Sequence, residues 1–280
     1  MSNLSRNTTR LADQAWSKLY PVAVVFGSVF ILAPIAVVAL MALSAAPSIV
    51  FPPPAYTLTR FLQIEPEIIT SFVNSLRLGL VVVIINLFLC VPGALALVRG
   101  RLPVKGLLQV LARSPLQVPG IVMAVSFYLY YSLLQRYGYV SLRNNFWGLV
   151  VAHVVMTAPY MLSTVAAQLY TVRGRLEDAA YGLGAGVMRT FWHITLPQIR
   201  PSIIAGCFLV FVVSFEDVPV ALFLAPSASA TTLPVQLFNL ANDSLSPTLF
   251  AASTLVIIFS AVLVITLEKL IGLRRAMTGF

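Results

Sequence analysis

Charged residues are scarce in this sequence. Aspartate, glutamate, lysine and arginine make up 10% of its 280 residues, whereas hydrophobic residues make up 59% and the mean hydropathy is +0.92. A soluble domain has roughly a quarter of its residues charged. The shortage of charge excludes an ordinary soluble protein and predicts a chain embedded in a membrane.

Residues that carry metal or nucleophilic chemistry are also few. The sequence has two cysteines, Cys90 and Cys207, and two histidines, His153 and His193. Both cysteines lie in apolar runs without neighbouring ligands, so we expect free, buried thiols and no metal site. We expect His153 to be a hydrogen-bonded packing residue within a span. No Ser-His-Asp or Cys-His arrangement is indicated, which leaves an enzymatic function with almost no support.

A glycine-rich phosphate loop of the Walker type is missing from the sequence. We therefore expect that this chain does not hydrolyse ATP by itself. The net charge of +9 does not indicate nucleic-acid binding, because the lysines and arginines lie in short segments that flank apolar runs. Membrane insertion explains that placement.

Long apolar runs predict helices that cross a membrane. Several runs exceed about 18 residues, the usual minimum for a span, whereas a β-barrel would show short alternating segments. We predict an all-α integral membrane protein with six transmembrane helices. The predicted spans are Val22–Leu43, Ile69–Val98, Leu107–Leu134, Phe146–Tyr170, Ile199–Leu224 and Thr248–Ile271.

Positive charges are distributed unequally between the two sides of these spans. Six spans put both termini on one side, which receives 14 lysines and arginines, while the other side receives three. The positive-inside rule predicts cytoplasmic tails at residues 1–21 and 273–280 around a transmembrane domain at 22–272. The first apolar run is too long for a signal-peptide core, so we expect an uncleaved span.

One polar stretch between the fourth and fifth predicted spans carries the strongest signal. Its apolar residues at helical spacing are Leu176, Ala180, Leu183, Val187 and Phe191. Glu177 and Asp178 lie in the first turn, where a helix favours negative charge. Glycines occupy positions 182, 184 and 186, and each costs a helix interior about 0.5–1 kcal/mol relative to alanine. We predict two short helices at about 174–193, bent near Gly184 and suited to dock into another protein.

The same stretch resembles the EAA signature of the membrane-spanning subunits of binding-protein-dependent ABC importers. The matching positions are Asp178, Ala179, Ala180, Gly184, Ile194, Leu196 and Pro197. Asp178 stands where the family usually has glutamate and Glu177 precedes it, so either carboxylate could take the family's role. The resemblance implies a type I importer permease with the MetI-like fold, located in the bacterial inner (cytoplasmic) membrane, whose segment 177–197 couples to an ATPase.

The resemblance also implies partners. These are a dimer of ATPase subunits that binds ATP and Mg, a second and homologous permease chain, an extracytoplasmic substrate-binding protein, and membrane lipid. The chain itself is then expected to bind no cofactor, no metal and no nucleic acid.

Three charged residues lie inside predicted spans: Arg77, Glu216 and Asp217. A charge at membrane depth is costly, so we expect these side chains to face the bundle interior or a watery cavity. At 1.5 Å per residue all three lie roughly 12 Å below the outer ends of their spans. We therefore predict that Arg77 pairs with one of the acids. A structural ion pair and a role in the translocation pathway are equal alternatives.

The external loop at residues 225–247 contains a short helical pattern. Leu233, Leu237 and Leu240 would line one face of this helix, with Pro234 in its first turn. The helix would either contact an external binding protein or lie on its own bundle and membrane surface.

Four further segments resemble permeases of the spermidine/putrescine subgroup. They are Asn74–Leu76, Val118–Val122, Ser214–Val218 and Thr232–Val235. Members usually have Asp-Glu where this chain has Glu216 and Asp217. The subgroup implies polyamine transport, with an opine, an iron complex or a phosphonate as alternative substrates. An ATP-independent ion-coupled transporter and a membrane scaffold are the alternatives of another class.

Overall fold

A computed structural model describes residues 2–100, 102–172, 174–225, 231–243 and 246–271. The helices are α1 Ser2–Ala42, α2 Thr59–Leu62, α3 Pro66–Arg99, α4 Lys105–Arg113, α5 Gly120–Arg136, α6 Phe146–Thr171, α7 Arg175–Gly182, α8 Val187–Thr190, α9 Leu196–Glu216, α10 Pro219–Leu224, α11 Leu233–Asp243 and α12 Pro247–Ile271. A 3₁₀ turn at Ser114–Gln117 follows α4, and a π-helical turn at Phe191–Thr195 joins α8 to α9.

The prediction of an all-helical membrane protein is confirmed. Five helices are long and apolar enough to cross a membrane, and a sixth span results when the bent pair Lys105–Gln117 and Gly120–Arg136 is counted as one. Helix α1 already begins at Ser2, so the predicted tail at residues 2–21 belongs to the same helix as the first span. The predicted tail at residues 273–280 lies outside the described residues.

The third predicted span, Leu107–Leu134, is broken into two helices in the structure. Its two halves are inclined by 106° at a break before Gly120. Proline cannot donate a helical hydrogen bond and disfavours helical backbone in the preceding residue. Val118, which precedes Pro119, is accordingly extended, with φ −87° and ψ 125°. The helix ends there and α5 restarts at Gly120.

The fifth predicted span, Ile199–Leu224, is also interrupted. Helix α9 ends at Glu216, Asp217 is extended with φ −66° and ψ 129°, and α10 starts at Pro219. Backbone polar groups exposed by such a break at membrane depth must find partners inside the protein. One of them does, because the backbone N–H of Ala221 donates to Oδ2 of Asp217 at 2.9 Å.

The chain divides into two compact units. One unit comprises residues 1–64 and 244–258, and the other comprises residues 65–243 and 259–280. In the first unit, the Arg60 guanidinium donates to the backbone carbonyls of Ala45 and Ala46, both at 3.2 Å. Every candidate site residue belongs to the second unit.

The core of the second unit lies between α3, α6 and α9. Its fully buried members include Leu78, Val82, Leu149, Val165, Ile199 and Val210. Gly206 on α9 faces Met161 on α6 so closely that a β-carbon there would lie 2.5 Å from the Met161 sulfur. A small residue at this point lets the two helices pack closely, as is common inside membranes.

Candidate functional site

The predicted bend near Gly184 is confirmed. Gly184 has φ +83°, a left-handed conformation that costs other residues energy. The backbone N–H of Ala185 donates to the carbonyl of Ala180, and that of Gly184 to the carbonyl of Tyr181, both at 2.9 Å. This pair of hydrogen bonds is the Schellman arrangement, which ends a helix at a left-handed residue. The two predicted short helices are therefore α7 and α8, with glycine setting the turn between them.

The α7–α8 segment exposes large apolar side chains at its turn. Leu183 is 90% exposed and Val187 is 74% exposed, and Met188 is exposed beside them. Ala180 is buried whereas Leu176, one turn earlier on α7, is exposed, so the apolar residues at helical spacing are not all on one buried face. Exposed apolar clusters of this kind mark surfaces that contact another molecule.

The Glu177 side chain is largely buried and makes its contacts within the chain. Its side chain is only 11% exposed, and Oε2 lies 3.1 Å from Nε of Arg99. The hydroxyl of Thr195 donates to Oε1 at 2.9 Å. Arg99 also donates to the carbonyl of Val172 at 3.0 Å. The Glu177 carboxylate thus joins α7 to the end of α3, to the end of α6 and to the turn that precedes α9.

Asp178 differs from Glu177 in its exposure, although both line the same cavity. Its side chain is exposed, and it has no ion-pair partner among the residues that the structure describes. It lines a cavity of about 410 Å³ whose other walls include Leu95, Arg99, Tyr181, Val187 and Phe191. The structure therefore separates the two carboxylates that the sequence left as alternatives: Glu177 is occupied within the chain, and Asp178 is available to another molecule.

Ile194, Leu196 and Pro197 carry the α7–α8 segment into a span. Ile194 lies in the π-helical turn, and its carbonyl accepts from Nε2 of Gln198 at 2.8 Å. Pro197 is the second residue of α9 and directly follows the π-helical turn and Leu196. Residues Val187–Glu216 consequently form one helical run of 30 residues from the exposed turn to the break at Asp217.

The break between α9 and α10 places the two membrane acids differently. Glu216 is exposed, whereas the Asp217 side chain is 7% exposed. Oδ2 of Asp217 lies 3.6 Å from Nε2 of His153, whose side chain is fully buried on α6. On the adjoining face of α5, a β-carbon at Gly120 would contact Pro219 of α10 at 3.3 Å. The two interrupted spans therefore meet at their breaks.

The predicted ion pair between Arg77 and an acid is wrong for the described residues. The Arg77 guanidinium lies over the Phe146 ring, 4.8 Å from its centroid, and no carboxylate lies within 4 Å of it in those parts of the chain. A cation above an aromatic ring is itself an attractive contact. The depth estimate failed because it assumed a continuous fifth span, and the break turns Asp217 toward His153.

The short external helix packs on its own unit. The Leu233 backbone N–H donates to Oγ of Ser75 at 2.8 Å, and Nδ2 of Asn74 donates to the Thr231 carbonyl at 3.2 Å. Leu233 and Val235 are buried. Of the two alternatives left by the sequence, these contacts favour a helix that lies on its own bundle.

Comparison with known proteins identifies the family. A family model described as "Binding-protein-dependent transport system inner membrane component" matches residues 79–275. The chain belongs to this family.

Similar proteins include a permease and two solved ABC transporters. The chain is 34% identical over 167 residues to the spermidine/putrescine transport system permease protein PotC of Haemophilus influenzae, a match that covers 60% of this chain and 61% of that protein. It therefore aligns with less than two thirds of that relative.

The solved structures confirm the fold. A bacterial ABC transporter that imports the acidic polysaccharide alginate has a TM-score of 0.73 at 18% identity, with 92% of this chain and 97% of that one covered. The alginate transporter in complex with its pentasaccharide-bound periplasmic protein gives 0.68 at 15% identity, with 96% of both chains covered. The predicted importer-permease fold is confirmed by these matches together with the family model.

The sequence did not predict the contacts that three candidate residues make with the acids of this chain. Arg99 and Thr195 are the partners of Glu177. His153 is buried and hydrogen-bonded to the Leu149 carbonyl, as predicted for a packing residue, but its contact with Asp217 was not predicted. Each contact with Glu177 or Asp217 joins residues that are far apart in the sequence, and only the charge of Arg99 gave any signal.

Proposed function

We propose that this chain is the transmembrane permease subunit of an ATP-driven polyamine importer and forms half of its translocation pathway. The observation that carries the proposal is the α7–α8 segment, in which the family's spacing coincides with an exposed apolar turn and a free Asp178. The surface is suited to a groove on an ATPase subunit.

Coupling follows from the connections of that segment. An ATPase dimer binds ATP and Mg, and its closure displaces the docked α7–α8 turn. The helical run Val187–Glu216 carries the displacement to the break at Asp217. Glu177 carries it at the same time to α3 through Arg99. The chain supplies rigid-body movement and no bond chemistry.

Orientation and partners complete the proposal. The charge bias of the sequence places both termini and the α7–α8 segment in the cytoplasm, where an ATPase would be. A second, homologous permease chain forms the other half of the pathway, and a binding protein delivers substrate from outside. The periplasmic protein in the alginate transporter complex supports a partner of that kind.

A polyamine is the substrate that the chain's chemistry favours. The permease relative is described as a spermidine/putrescine protein. Glu216 is an exposed acid beside the break, and a negative charge in the pathway attracts a cationic solute. The alternative substrates are an opine, an iron complex or a phosphonate.

Reconstituted transport tests the proposal. The chain is placed in liposomes with its proposed ATPase, permease and binding-protein partners, and uptake of labelled spermidine and putrescine is measured. We expect uptake that requires ATP and the binding protein, and that excess unlabelled opine or phosphonate does not reduce. Uptake driven by an ion gradient without the ATPase would instead establish an ion-coupled transporter.

A further inference from the structure

His153 has one ring nitrogen whose role is fixed by its neighbour. Nδ1 lies 2.9 Å from the backbone carbonyl oxygen of Leu149, one turn earlier on α6. A carbonyl oxygen only accepts hydrogen bonds, so Nδ1 must carry a hydrogen and donate it. In a neutral imidazole with Nδ1 protonated, Nε2 has no hydrogen and presents a lone pair.

Nε2 faces a second acceptor. It is fully buried, has no hydrogen-bond partner in the described chain, and lies 3.6 Å from Oδ2 of Asp217. An ionised carboxylate also presents only lone pairs, so a neutral His153 and an ionised Asp217 would place two acceptors against each other in a buried site. That arrangement is unfavourable because buried polar groups need partners of opposite kind.

We infer that His153 and Asp217 share one bound proton between Nε2 and Oδ2. The proton turns two opposed acceptors into a donor and an acceptor, and it makes the buried pair neutral overall. The same Oδ2 atom also accepts the Ala221 N–H at 2.9 Å. A single carboxylate oxygen therefore joins α6 to the first turn of α10.

The surroundings of the pair are neutral. On α6, Thr157 donates to the His153 carbonyl at 2.6 Å and accepts from Asn86 of α3 at 3.0 Å. Glu216, the neighbouring acid, is exposed and makes no ion pair with described residues. No other described charge compensates either member of the pair, so the proton is what removes the conflict between them.

The proton braces the break between α9 and α10. Asp217 is the extended residue at which α9 ends, and the shared proton holds its side chain against α6. This leaves Glu216 as the acid free to meet a solute. The inference on the proton stands apart from the proposed polyamine function, because it follows from three contacts within the chain.

Nuclear magnetic resonance tests the proton count directly. The full-length chain is labelled with nitrogen-15 histidine and with carbonyl-labelled aspartate, and is studied in lipid bilayers near neutral pH. The sequence has two histidines, so His193→Gln leaves His153 as the sole signal. The carboxyl signal of Asp217 is identified by its loss in Asp217→Asn or, if that variant does not insert, by its proximity to the His153 ring.

Each protonation state decides the question. Two protonated ring nitrogens beside an ionised Asp217, or an unprotonated Nε2 facing a protonated Asp217 carboxyl, establish the shared proton, whereas two protonated ring nitrogens beside a protonated carboxyl overturn it. A neutral ring beside an ionised Asp217 overturns it, whichever nitrogen carries the hydrogen.

Uptake by the complete importer tests the brace. His153→Leu and Asp217→Leu should each lower uptake roughly tenfold, and the double variant should be no worse than either, because both remove one contact. Ser163→Ala, a polar change elsewhere on α6, is the control and should leave uptake unchanged. If the loss of uptake in the double variant equals the product of the two single losses, the two residues act separately, and the inferred link between His153 and Asp217 is wrong. If the unmodified importer does not transport polyamine but the resonance result holds, the proposed substrate is wrong and the inference of a shared proton stands.

Discussion

Nε of Arg99, the last residue of α3, lies 3.1 Å from Oε2 of Glu177 in the first turn of α7. The pair connects a membrane span directly to the segment that is proposed to meet the ATPase. Breaking it should uncouple ATP hydrolysis from transport without preventing insertion. Glu177→Gln and Arg99→Gln should each lower the amount of polyamine imported per ATP hydrolysed several-fold, measured in proteoliposomes.

The charge exchange sharpens this test. Arg99→Glu combined with Glu177→Arg restores opposite charges at the two positions and should recover part of the coupling lost in either single reversal. Arg113→Gln on α4, an exposed cation without a described partner, is the control. Coupling that stays normal in both single variants would show that the pair is only structural.

Replacing Gly184 should spoil the turn between α7 and α8. Gly184→Leu forces a side chain onto φ +83°, which costs about 1–2 kcal/mol in a left-handed conformation. We expect normal insertion, weaker copurification of the ATPase and lost uptake. Gly138→Leu is a matched control, because Gly138 also has positive φ, at +77°, with open space around it. Equal uptake losses in the two variants would point to general strain and away from docking.

Asp178→Asn should weaken ATPase association with little effect on stability. The carboxylate is exposed, so its removal should change the free energy of unfolding by less than about 0.5 kcal/mol. If the Asp178 carboxylate meets a cation on the ATPase, the difference in ATPase affinity between the unmodified chain and Asp178→Asn should become smaller as the salt concentration is raised. Binding of the ATPase measured at several salt concentrations checks this. An affinity of Asp178→Asn equal to that of the unmodified chain at low salt would show that Asp178 does not contact the ATPase.

Ser75→Ala should loosen α11. The variant removes the acceptor of the buried Leu233 N–H, which costs about 1–3 kcal/mol when left without a partner. Thermal unfolding of the purified importer should register the loss. Ser132→Ala is the control, since its hydroxyl donates only to the Tyr128 carbonyl in its own helix. Equal unfolding temperatures for the two variants would contradict the proposed anchor.

The cytoplasmic position of the α7–α8 turn can be tested by labelling. Position 180 is unsuitable because Ala180 is buried, whereas Leu183 is highly exposed. A membrane-impermeant maleimide should fail to label Leu183→Cys in intact cells and should label it in inverted vesicles. Tyr137→Cys, in the loop after α5, should show the reverse. Labelling of Leu183→Cys from outside would invert the proposed topology.

Local sequence patterns predicted what depends on neighbours along the chain. Three glycines within five residues predicted the turn at Gly184, and apolar runs predicted the spans. The break at Asp217 was missed because the apolar residues continue through Val218 to Leu224, and hydropathy does not register one extended residue. The contacts of Glu177 with Arg99 and of His153 with Asp217 were missed because these partners come from other helices. The residue types were visible in the sequence, but the direction of each side chain was not.

The helical run from Val187 to Glu216 has a consequence for the lipid around it. Thirty residues at 1.5 Å each make about 45 Å along the axis, whereas the hydrocarbon core of a bilayer is about 30 Å thick. The run is therefore longer than the hydrocarbon core is thick, so it tilts or extends beyond the core, and the distance by which the α7–α8 turn projects depends on local bilayer thickness. A thicker membrane would bring the turn closer to the headgroups, so the projection of the turn should change with the acyl-chain length of the lipid.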